Sequence, residues 1–67
     1  MAKQLEMAAQ QLTGFAHARA GYSITSLADG MGLTAKEWEA IKLRGVSLGL
    51  ALIDIHELDT HFEKSGE

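Results

Sequence analysis

The sequence predicts an all-α fold: a small bundle of about four helices, one domain over residues 1–67, dimerising through its C-terminal helix. Three observations predict it. Proline is absent and β-branched runs are short. Apolar residues recur at helical rather than alternating spacing. Cap and stop residues punctuate the chain at helix-length intervals.

The first predicted helix runs from Lys3 to about Ala20. Leu5, Ala8, Leu12, Phe15 and Ala16 fall on one face of it, the face a bundle would bury. Gly14 weakens this helix by roughly 1 kcal/mol relative to alanine, and Gly21 is a stop. A short second helix follows. Ser23 can cap it, and Tyr22 and Leu27 stand at the positions of a hydrophobic staple. It ends in "DGMG", where Gly30 and Gly32 permit the positive φ of a tight turn.

The third helix carries the strongest local signal. Thr34 and Glu37 form a T-x-x-E capping box, and Leu33 and Trp38 flank it as a staple. Lys42 and Arg44 fall in the expected last turn, with Gly45 as the stop. The alternative is one continuous helix through Gly45. The fourth segment, about residues 47–64, has one apolar stripe at Leu48, Leu52, Ile55 and Phe62. Leu50 and Ile53 form a second stripe on another side. A helix apolar on two sides must be covered on two sides, so the second stripe is expected to face another copy of the chain.

Size supports that expectation. A domain of about 60 residues buries only about 60% of the surface its unfolded chain exposes. Small scaffolds usually need a disulfide, a metal or oligomerisation. The chain has no cysteine, which removes disulfides and thiolate metal sites. Oligomerisation is left; no cofactor is expected. The N-terminus lacks an apolar signal core, and the longest apolar run is about half a bilayer span. A soluble, cytoplasmic protein is the expectation.

Charge is uneven. Residues 1–53 carry five Lys/Arg and four Asp/Glu, a balance of +1; residues 54–67 carry one Lys and five Asp/Glu, a balance of −4, and the total is −3. A nucleic-acid binder needs a basic patch to displace counterions from phosphate. Only Lys36, Lys42 and Arg44 stand close together in sequence. The acidic C-terminal stretch would be repelled by DNA and would suit a basic partner surface; a solvated helix end is the plainer reading.

Residues 24–43, "ITSLADGMGLTAKEWEAIKL", resemble the core of a repressor-type helix-turn-helix. Ala28 stands where that family places a small residue at the helix contact. Gly32 stands at the turn, and Leu27, Met31, Leu33, Trp38 and Ile41 fill the packing positions. The resemblance implies that the second helix of the pair presents Thr34, Ala35, Lys36, Glu39, Ala40 and Leu43 outward, the face that meets bases in the family. Base reading favours Arg, Lys, Asn or Gln, and only Lys36 qualifies. The departures therefore fall on the recognition face, which leans toward a protein surface. The acidic helical build is also similar to that of small prophage-encoded regulators, antirepressors and anti-activators, which implies a transcription regulator as one candidate partner.

Other motifs resolve to plain readings. "HELDTH" places His56 and His61 five residues apart, roughly 140° around a helix, so both cannot aim at one metal. Glu57 and His61 are read as a surface pair. His17 has no catalytic partner beside it, and no Ser–His–acid set is arguable. "GVSLG" offers small residues at Gly45 and Gly49 for close helix packing. The expected function is a non-enzymatic, protein-binding regulator, with partner contacts at Lys36, Glu39, Ala40, Leu43, Leu50 and Ile53. The alternative is a DNA-binding dimer using Lys36, Lys42 and Arg44 on phosphate.

Overall fold

The computed structural model of the chain describes residues 2–64. They form four helices: α1 Ala2–Ala18, α2 Ile24–Met31, α3 Ala35–Leu48 and α4 Leu52–Lys64. There is no strand among the described residues. Each helix packs against two others, in the ring order α1, α2, α4, α3, and α1 lies most extensively along α3.

The core draws on every element. Ala9, Leu12 and Ala16 come from α1, Ile24 and Ala28 from α2, Trp38 and Ile41 from α3, and Ile55 and Leu58 from α4. Leu33 and Leu50 join from the two connecting segments. On α1 the buried positions 9, 12, 13 and 16 follow helical spacing, which places Phe15 at the rim. Phe15 is 41% exposed, against the expectation that it packs inward. Thr13 takes an inward place instead, and its Oγ1 has no hydrogen-bond partner among the described residues. A buried hydroxyl left so costs about 1–3 kcal/mol.

Local signals set most of the helix ends. α1 stops at Ala18, two residues before the expected end, with Gly21 at φ 88° beyond it. Ser23 caps α2 by accepting from the Ser26 N–H at 3.1 Å. Tyr22 is exposed, so it does not staple this end into the core. The α2 terminus is a Schellman turn at Gly32 (φ 73°): Gly32 N–H donates to Asp29 O and Leu33 N–H to Ala28 O, both at 3.0 Å. Gly30 is an ordinary helical residue of α2, not part of the turn. The α3 capping box is complete. Glu37 N–H donates to Thr34 Oγ1, and Thr34 N–H donates to Glu37 Oε1, each at 3.1 Å.

The expected break at Gly45 is corrected. α3 runs through Gly45 to Leu48, and a second Schellman turn closes it at Gly49, φ 102°. Gly49 N–H donates to Val46 O (3.0 Å) and Leu50 N–H to Gly45 O (2.9 Å). That turn folds the Leu50 side chain back over Gly45, where an added Cβ would stand 3.2 Å from Leu50 Cδ2. Gly45 thus gives room and Gly49 stops the helix. The continuous-helix alternative fails as well, since residues 49–51 separate α3 from α4. The fourth helix therefore starts at Leu52 rather than near residue 47. Its expected stripe is broken too, because Leu52 is exposed.

Gly49→Ala is expected to destabilise the domain by roughly 1–2 kcal/mol, the strain of a left-handed residue bearing a Cβ. Urea denaturation reads it; an unchanged midpoint would show that the turn tolerates a side chain.

Candidate functional site: the outer face of the third helix

The face is oriented by what α3 buries behind it. Trp38, Ile41 and Gly45 point into the core, and Trp38 is wholly enclosed. Its indole Nε1–H donates to Asp59 Oδ1 of α4 at 2.8 Å. The Lys42 ammonium reaches the same oxygen at 2.8 Å. Burial works against the charge on Asp59, but Lys42 and Trp38 outweigh it and hold the carboxyl below its ordinary range. Asp59 in turn raises Lys42, against partial burial of the ammonium.

With that side fixed, Thr34, Ala35, Lys36, Glu39, Ala40 and Leu43 are all exposed, as their register implied. Leu43 is 83% exposed, the most exposed large apolar side chain among the described residues. Val46, a turn further along, is also exposed.

The basic residues beside this face are committed within the chain. Arg44 grips Glu6 of α1 with Nε at 2.8 and 3.0 Å from the two carboxylate oxygens and Nη2 at 2.8 Å from Oε2. That hydrogen bonding lowers Glu6 and raises Arg44. Of the three candidate phosphate contacts, Lys42 and Arg44 are therefore in ion pairs. Lys36 is exposed and in no ion pair among the described residues.

The two further partner-contact candidates part company. Leu50 is only 4% exposed and belongs to the core, so it is not available to a partner; the turn at Gly49 carries it inward. Ile53 is 68% exposed. His61 sits 3.2 Å from Asp29 of α2 and edge-on to Phe62. It thus ties α4 to α2 through Asp29, a contact that its spacing from Glu57 did not suggest. No three His, Asp or Glu side chains among the described residues could hold one metal ion.

Some contacts had no local signal. His17 Nε2 donates to the Gly49 carbonyl at 3.1 Å, pinning α1 to the end of α3. Arg19 pairs with buried Asp54 of α4 and also donates from Nε to Ala16 O at 3.1 Å. A shallow groove of about 420 Å³ lies between Phe15, Tyr22, Ser26, Leu27 and Gly30. Residues 24–43 run helix, glycine turn, helix, yet α2 packs on α1 and α4 and makes no close backbone approach to α3. Ala28 is buried in the core that α3 also lines. No helix among the described residues is long and apolar enough to cross a membrane. Compared with protein-family models, curated proteins and solved structures, the chain matches none.

Because the folded carboxyl of Asp59 titrates below its unfolded value, its contribution to stability is full above the unfolded pKa of about 3.9. It is lost as pH falls through the lower folded value. Asp59→Asn should flatten part of the acid limb of a stability–pH curve; an unaltered limb would show that the Lys42 and Trp38 contacts do not couple to folding.

Proposed function

We propose that the chain is a non-enzymatic protein-binding module whose outer α3 face, Lys36, Glu39, Ala40 and Leu43, meets a protein partner. A transcription regulator is one candidate partner. One observation carries the reading: Leu43 stands 83% exposed on that face while its basic neighbours Lys42 and Arg44 are engaged internally. Exposed apolar side chains next to spent charges suit a desolvating protein contact. A duplex needs several cations free to face phosphate. The pairing of Lys42 and Arg44 therefore counts against the DNA-binding alternative, as does the acidic balance of the chain.

Affinity capture from the native host, with and without nuclease treatment, tests it. A specific protein should be retained after nuclease treatment and reduced at least tenfold, about 1.4 kcal/mol, by Leu43→Ser. Circular dichroism would confirm that the variant folds. Duplex DNA bound with a steep salt dependence and lost in Lys36→Glu would replace this reading with the DNA-binding one.

Pairing of two copies through α4 is part of the proposal, and it now rests on Ile53 instead of Leu50. Ile53→Asp should shift sedimentation toward monomer. A wild-type chain that sediments as a folded monomer at micromolar concentration removes the dimer.

A further inference from the structure

Exposed apolar side chains stand toward the closed end of the α3–α4 hairpin, and exposed carboxylates toward its open end. Lys42 and Asp59 meet midway along the seam between the helices. On α3, Val46 lies one turn from Lys42 toward the connecting segment, and Glu39 lies about one turn the other way. On α4, Leu52 lies two turns from Asp59 toward the connection, and Glu63 lies one turn the other way. Leu43, Val46 and Leu52 are exposed, as are Glu39 and Glu63. Glu39 stands about one turn from Lys42 and Glu63 one turn from Asp59, so both lie beside the seam, where both favour the charge on Lys42. Neither is in an ion pair among the described residues. Asp59 already neutralises Lys42, and the other two cations at the open end, Lys36 on α3 and Lys64 on α4, lie about 60° and 100° round their helices from Glu39 and Glu63, away from the seam, so the seam itself is left negative.

We propose that this hairpin docks a cationic amphipathic helix, its apolar side chains on Leu43, Val46 and Leu52 and its Lys or Arg side chains on Glu39 and Glu63. The proposal rests on the reading of outer α3 as a protein-contact face and names the class of partner. Charge complementarity selects the occupant: an acidic or neutral segment would leave two carboxylates facing like charge or bare apolar surface. Geometry fits a helix. Val46 and Glu39 are seven residues apart, about 10.5 Å along α3, a span that side chains two turns apart on a partner helix can match.

The probe is a labelled synthetic helix with leucines along one face and arginines grouped at one end, compared with the same helix carrying glutamates in place of the arginines. Fluorescence anisotropy should show binding of the arginine helix only, weakening as salt rises. The double variant Glu39→Lys, Glu63→Lys should lower that affinity about tenfold or more, and Glu39→Gln, Glu63→Gln by less. Amide shifts should map to Leu43, Val46 and Leu52. Absence of binding, equal binding of the glutamate helix, indifference to charge reversal or shifts confined to the Phe15–Tyr22–Leu27 groove would each overturn it. So would concentration-dependent shifts at the patch without peptide, which assign it to a second copy. The two proposals separate cleanly. A captured protein lost with Leu43→Ser but kept by the charge-reversed variant keeps the contact face and removes the cationic partner. Duplex DNA in place of any protein removes both.

Discussion

One carboxylate oxygen, Asp59 Oδ1, organises the outer half of this bundle. It accepts from the Trp38 indole and from Lys42 at the same distance. Trp38 is the largest side chain in the core and is completely enclosed, so its ring needs a partner for its one polar atom. Only α4 supplies it. Once that bond is made, α3 cannot rotate without either exposing an indole or stranding its N–H. The buried line Trp38, Ile41 and Gly45 is thereby fixed, and the opposite line, Lys36 to Leu43, is fixed outward. The exposure of Leu43 is thus the far side of the Trp38 contact rather than an independent feature.

The parts of the fold legible in the sequence are those decided within one or two turns of chain. The Thr34–Glu37 box, the Ser23 cap and the Gly32 turn each need only residues a few positions apart, and each formed. Gly45 and Gly49 show where local reading stops. Both could end a helix, and the choice between them depended on Leu50, which packs over Gly45 only once the other helices have built the core beneath it. Phe15 lies at the rim because the centre of the α1 face is set by the helices packed against it, which local spacing does not show. The ties from His17 to Gly49 and from Arg19 to Asp54 span 32 and 35 residues, beyond any pattern of spacing. The outward α3 residues were legible because an amphipathic helix with a single buried stripe leaves one choice for the rest. Leu50 is not a contact residue because it precedes α4 and the turn at Gly49 carries it into the core.

Charge shows a similar division between count and placement. Three of the six Lys and Arg side chains, Arg19, Lys42 and Arg44, are in ion pairs with carboxylates of other elements. Composition alone would leave them free to meet phosphate. Arg44 and Glu6 are largely exposed, and such a pair contributes little to stability, roughly 0–1 kcal/mol. Its consequence is positional: the guanidinium lies along α1 with both prongs occupied. A chain whose sequence balance is nearly neutral over residues 1–53 therefore presents less positive surface than its count of basic residues suggests.

The Arg19–Asp54 pair bears on the exposure of Leu52 at the α3–α4 hairpin. Asp54 is buried in the first turn of α4, in a place where leucine or isoleucine would pack at lower cost. A buried ion pair is weak grounds for stability, because desolvation consumes most of its attraction, but it discriminates strongly between alternative registers. Turning α4 to put Leu52 where Asp54 now sits is a rotation of about 160° and would carry Asp54 out of reach of Arg19. The half-buried Arg19 would then lose its carboxylate partner. The same rotation would take Asp59 away from Trp38 and Lys42. With Asp54 and Asp59 both held, Ile55 and Leu58 pack inward, and Leu52 has no side left but the outer one. Two carboxylates, five residues apart, thus fix the register of α4 and with it the apolar surface that the hairpin shows to solvent.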